Sequence, residues 1–168
     1  DAAGNTASCG FSVTVRDTSP PTPGAEKGLT LWPPNHKYVT VTLAQCAASA
    51  RDACSGELPL ERYGRILRVT SDEVEDSLGH GDGRTCDDMD VTVGPTSVRL
   101  RAEREGTSNG RVYMVHYTVA DASGNSRAGS CRVSVPHDPS GKAAVDSGPK
   151  YCVGEGCPEG QGGSLLCR

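Results

Sequence analysis

The sequence predicts an all-β fold: an antiparallel β-sandwich over residues 25–138, preceded by an N-terminal β-arm with a Pro-rich linker (1–24) and followed by an irregular, disulfide-tied tail (139–168). Two observations lead there. Short stretches of alternating apolar and polar residues recur between turn residues, as half-buried strands require. The apolar mass is also small, with Val, Leu, Ile and Phe numbering 28 of 168 residues, below the roughly 20% at which a sizeable core becomes doubtful. A net charge of only −4 argues that something nevertheless folds.

The elements follow in order. Residues 1–15 read DAAGNTASCGFSVTV, and residues 121–135 repeat the pattern as DASGNSRAGSCRVSV with one short gap. Each copy has a D-A-x-G-N turn, where Gly and Asn supply left-handed backbone angles, and then a Cys with alternating apolar residues. The later copy has its hairpin partner just before it, GRVYMVHYTVA at 110–120; the first copy has none. Its strand places Cys9, Phe11, Val13 and Val15 on one face. Residues 17–28 carry three prolines and two glycines and read as linker or loop. Strands are expected at 38–43, 65–71, 91–93, 97–103, 111–119 and 131–135, with one or two helical turns in the alanine-rich stretch 44–54. From Pro139 onward, Gly, Ser and Pro dominate.

Eight cysteines (Cys9, Cys46, Cys54, Cys86, Cys131, Cys152, Cys157, Cys167) show no C-x-x-C spacing, so disulfides are the preferred reading over zinc or redox chemistry. That places the chain outside the cytoplasm, secreted or at the cell surface. Connectivity is open, with Cys46–Cys54 and Cys152–Cys157 the shortest loops to close.

Residues 72–90 hold eight acids and one base, while the remainder carries 16 bases and 13 acids. Such a concentration of negative charge needs water, arginines or a cation nearby. Hard oxygen ligands on a Gly-rich segment suit calcium, with Asp72, Glu73, Asp82, Asp87, Asp88 and Asp90 as candidate ligands. The competing reading is a solvated loop offset by Arg65, Arg68, Arg99, Arg101 and Arg104. Zinc at His80 and Cys86 is a lesser alternative. His116, inside an alternating strand, reads as packed rather than catalytic, and Trp32 as packed on Pro33 and Pro34 rather than stacking a sugar.

G-x-S-x-G and H-E-x-x-H are absent, and nothing in the residues points to an enzyme. The acidic balance and seven scattered aromatics argue against nucleic acid. No apolar run is long enough for a membrane span.

The segment DAAGNTASCGFSVTVRDTSPP resembles the end of a hyalin repeat, an immunoglobulin-like extracellular module. The segments LWPPNHKYVTVTL, RILRVTSDE, GDG, VRLRAEREGTSNGRVYMVHYTVADASGN and VSVPHD resemble a related immunoglobulin-like module of secreted bacterial proteins. The resemblance covers roughly residues 1–138 and implies an immunoglobulin-like sandwich serving as a structural or adhesive element. The expected partners are other copies of the chain, joined by donation of the arm through Phe11, Val13 and Val15, or other extracellular proteins. Calcium-dependent binding of carbohydrate or another surface ligand is the alternative. The arm has two further readings, as the first strand of the same domain or as the remnant of a preceding repeat.

Overall fold

The computed structural model describes residues 1–76, 85–159 and Cys167. It is an all-β structure with two single-turn helices. In chain order the elements are β1 (Leu29–Thr30), β2 (Tyr38–Thr42), α1 (Leu43–Cys46), β3 (Ala50–Asp52), β4 (Gly56–Leu58), α2 (Leu60–Tyr63), β5 (Gly64–Ser71), β6 (Met89–Gly94), β7 (Ser97–Arg101), β8 (Arg111–Ala120), β9 (Ser126–Val135) and β10 (Tyr151–Gly154).

A five-stranded sheet runs β1-β9-β8-β5-β10, a three-stranded sheet β2-β7-β6, and β3-β4 form a hairpin. All pairings are antiparallel except the short β1–β9 contact. The long β8–β9 hairpin is the spine. Its turn at 121–125 is set by Asp121, whose Oδ1 accepts the backbone N–H of Ser123 and Asn125, both at 2.9 Å, while Gly124 takes φ +87°.

Period-two alternation puts Tyr113, Val115, Tyr117 and Val119 of β8 on one face, and each is at most 1% exposed. They pack in a single apolar cluster with Ile66 and Val69 of β5, Cys131, Val133 and Val135 of β9, Val41 of β2, Val98 and Leu100 of β7, and Leu43, Leu58 and Leu60. Both sheets therefore feed one core. The expected strands at 38–43, 65–71, 91–93, 97–103, 111–119 and 131–135 correspond to β2, β5, β6, β7, β8 and β9.

Three disulfides close the framework: Cys46–Cys131, Cys86–Cys167 and Cys152–Cys157, spanning 85, 81 and 5 residues. Loop-closure entropy assigns about 4.6, 4.5 and 2 kcal/mol to them, respectively. Cys152–Cys157 is the short pair anticipated from sequence. The expectation that all eight cysteines pair is corrected for Cys9 and Cys54, which are free and exposed. Cys46 is fully buried under β9, whereas Cys54 sits in the exposed turn of the β3–β4 hairpin, so the two sulfurs lie in different environments.

Other expectations also change. The helical reading of 44–54 holds for α1 only; the chain then turns into β3. The tail is not wholly irregular, because Tyr151–Gly154 pair with Arg68–Ser71 as an edge strand. The linker is pinned rather than loose: Thr22 bridges Arg51, the backbone N–H of Arg132 donates to the Glu26 carboxylate, and Asn125 Nδ2 donates to the Asp17 carbonyl at 3.1 Å. Residues 6–16 form no strand and pair with no strand among the described residues. Phe11, Val13 and Val15 are 89%, 75% and 90% exposed.

Candidate functional site

The densest chemistry lies where the acidic segment meets the start of β8. Alternation puts Arg111 on the same inward face as Tyr113 and Val115, and it is 1% exposed. A guanidinium there must find acceptors, since an unpaired buried charge costs several kcal/mol. Its Nε donates to Glu73 Oε2 at 3.0 Å, Nη1 to Asp88 Oδ2 at 2.5 Å and to the Tyr113 hydroxyl at 3.0 Å, and Nη2 to the Val74 carbonyl at 2.8 Å. Glu103 Oε1 lies 3.5 Å from Nη1. Tyr113 in turn donates to the Arg101 carbonyl at 2.9 Å, and Arg101 Nε stands 3.6 Å from Asp88 Oδ1.

Two guanidiniums thus face three carboxylates, Glu73, Asp88 and Glu103. Burial resolves the imbalance by favouring a neutral acid. It pushes Asp88 up to about 9 against the pull of Arg111, and it also raises Glu103. Both shifts favour the neutral acid at Asp88 and Glu103, which lessens the negative charge buried beside Arg111.

The structure distributes the calcium candidates rather than gathering them. Asp72 is buried and accepts the backbone N–H of Val112 at 2.7 Å and of Ser147 at 3.1 Å; burial raises its pKa despite those bonds. Glu73 and Asp88 hold Arg111. Asp90 binds Arg99 and is drawn down to about 2, first by the Thr92 hydroxyl and then by Arg99. Asp87 carries no arginine ion pair among the described residues, and Asp82 and His80 lie outside them. A cation placed between Glu73 and Asp88 would oppose Arg111, which already holds both carboxylates. Of the arginines expected to offset the acids, Arg99 and Arg101 do so. Arg65 instead pairs with Glu155 at 2.9 Å, and Arg104 donates to the His137 carbonyl. Arg111, Glu103 and Tyr113 were not singled out from sequence, although the parity of β8 was a usable signal for the arginine.

Among the described residues, the one group that brings three ligand-type atoms within 4.8 Å of one another is Asp17, Asp52 and Cys54. The two carboxylates, Asp17 foremost, raise the Cys54 thiol above its ordinary range, which lowers its reactivity. Cys86 is bonded to Cys167, away from a zinc role. His116 sits 3.2 Å from Thr70 Oγ1, and burial and then Arg68 lower its pKa. Trp32 is 48% exposed on a groove of about 430 Å³ that it shares with Ser134, Asp138 and Lys142. Among the described residues no helix is long and apolar enough to cross a membrane.

The turn that opens the arm duplicates the turn of the β8–β9 hairpin. Asp1 Oδ1 accepts the backbone N–H of Ala3 at 2.9 Å and of Asn5 at 3.0 Å, and Asn5 Nδ2 donates to Asp1 Oδ2 at 2.9 Å. Asp121 accepts from Ser123, Asn125 and Asn125 Nδ2, each at 2.9 Å. Gly4 and Gly124 share φ +87°. Comparison with protein-family models, with curated proteins and with solved structures finds no match for this chain.

Proposed function

We propose that this protein is a non-enzymatic extracellular structural or adhesive module of the immunoglobulin-like sandwich type, which joins other modules through its N-terminal arm. The observation that carries the reading is the arm's face of Phe11, Val13 and Val15, left in water by its own domain. Burying such side chains yields about 1.5–3 kcal/mol each, so a partner that completes the strand gains both apolar area and a ladder of backbone hydrogen bonds. Two sheets sharing one core support the sandwich assignment, and three disulfides support an oxidising compartment. The partners are other copies of the chain or other extracellular proteins.

Light scattering on the intact chain and on a chain lacking residues 1–16 tests the arm. The intact chain is expected to self-associate at high concentration and the shortened one to stay monomeric; an oligomeric state unchanged by truncation overturns the assignment. Calcium, expected from the acidic segment, is tested alongside by calorimetry with calcium and with chelator. If arginine supplies the counter-charge, the Tm is the same in both, whereas a bound ion raises it.

A second reading, binding of carbohydrate or another surface ligand, is favoured by the half-exposed Trp32 on its groove, since a sugar stacks on an indole face. Glycan-array binding lost in Trp32→Ala would support it, and an array blank with and without calcium would discard it.

A further inference from the structure

We infer that residues 1–13 are a second copy of β9, and that the partner of the arm is a module of this same architecture that presents a β8 strand without a β9 of its own. The inference rests on the arm being a contact strand, and it names the place where that strand fits. Three features on different parts of the segment carry it.

The first is the turn. Asp1–Asn5 and Asp121–Asn125 share their three aspartate hydrogen bonds and the left-handed glycine. A five-residue turn of this kind reverses the chain between two antiparallel strands, and in the second copy those strands are β8 and β9.

The second is the strand. Residues 8–13 read SCGFSV and residues 130–135 read SCRVSV. Matching Cys9 to Cys131 sets Phe11 on Val133 and Val13 on Val135, the positions at which β9 is completely buried. The arm is two residues shorter between turn and cysteine. A difference of two preserves the alternation of faces, so it fits a hairpin shortened by two residues on each strand.

The third is the cysteine. Cys131 is bonded to Cys46 across the core, whereas Cys9 is exposed and free. Its counterpart is then the equivalent of Cys46 in the accepting module. Two thiols become a disulfide by giving two electrons and two protons to a small-molecule or protein disulfide, which is reduced to two thiols. An intact second copy holds its own β9 in this place, so it accepts the arm only when that strand is displaced.

The test uses the full chain with residues 119–135 replaced by residues 1–13, which joins Thr118 to the turn in the register that sets Cys9 opposite Val115. The expected product has a cooperative melt within about 10 °C of the parent and a Cys9–Cys46 linked peptide by mass spectrometry. The same exchange carrying Phe11→Ser and Val13→Ser is expected to lose the transition. A control chain lacking only residues 119, 120, 126 and 127 has the same shortened hairpin with native β9 side chains. If the control folds and the exchanged chain does not, the arm is not a β9 equivalent. If both fail, a hairpin shortened by two cannot close the module, and the inference falls with it. Arm-dependent polymers of the intact chain combined with a failed exchange would leave strand donation standing and remove only this acceptor. A folded exchange combined with a permanently monomeric intact chain would do the reverse.

Discussion

Replacing Arg111 by methionine tests the electrostatic account most directly. The change leaves the aliphatic volume of the side chain largely in place while removing the guanidinium that holds Glu73 and Asp88 at 3.0 and 2.5 Å. Glu73 keeps the Glu105 backbone N–H at 2.7 Å and the Ser108 hydroxyl, so it is partly compensated. Asp88 keeps its hydrogen bond with Glu103 and the more distant Arg101 at 3.6 Å, and the Tyr113 and Val74 oxygens lose their donor. Breaking a buried pair in this way costs about 3–5 kcal/mol, a large part of the roughly 5–15 kcal/mol that stabilises an ordinary domain. For a chain of this size each kcal/mol moves the Tm by about 2–4 °C, giving a fall of about 6–20 °C. Urea titration followed by circular dichroism gives the free energy, and calorimetry the Tm. A loss below about 1 kcal/mol would refute the view that Arg111 organises the acidic segment. In the double variant Arg111→Met with Asp88→Leu, much of the loss should be recovered, because an apolar replacement of a whole buried pair is commonly neutral.

Four further outcomes follow from the same geometry. Asp88 and Glu103 bind protons more tightly in the folded state than in the unfolded state, so the stability they contribute is present at pH about 4 and is lost as pH rises towards about 9; melts across pH 5–9 should show the decline, and Asp88→Asn, which mimics the protonated acid, should flatten it. Asp90 and Asp138, both drawn down to about 2, act in the opposite sense and matter only below pH about 4. Cys46→Ala with Cys131→Ala should cost about twice the free energy of Cys152→Ala with Cys157→Ala in denaturant titrations, and equal costs would argue against the loop-closure account. Gly110→Ala should destabilise by about 1–3 kcal/mol, because Gly110 has φ +94° and an added Cβ meets the Val135 carbonyl at 2.7 Å; an unchanged urea midpoint would contradict that crowding.

Which parts of the fold were legible in the sequence depends on how local their causes are. Strands β2, β5, β7 and β8 announce themselves because five to ten residues alternate over one buried face, and the β8–β9 turn because Asp, Gly and Asn stand at fixed offsets. Strands β1, β3, β4 and β10 have two to four residues, and their pairing is decided by partners far along the chain, as when Tyr151 meets Ser71. The disulfides divide in the same way: Cys152–Cys157 is a local loop, while Cys46–Cys131 follows only from the packing of α1 under β9. The composition of the acidic segment calls for a counter-charge. That Arg111 meets two of its acids, Glu73 and Asp88, is written in the parity of β8, because Arg111 shares the inward face with Tyr113 and Val115; the composition of the segment alone contains no such information.

The position of β10 governs the order in which the module is able to complete itself. The outer edge of β5 receives its neighbour only once Tyr151–Gly154 have been synthesised, and these follow both β5 and β8 in the chain. Until then the backbone of Arg68–Ser71 presents an unsatisfied ladder, the kind of edge that recruits strands from other chains. The tail therefore acts during biogenesis as a built-in edge guard. A chain interrupted before Tyr151 should enter inclusion bodies at concentrations at which the complete chain stays dispersed.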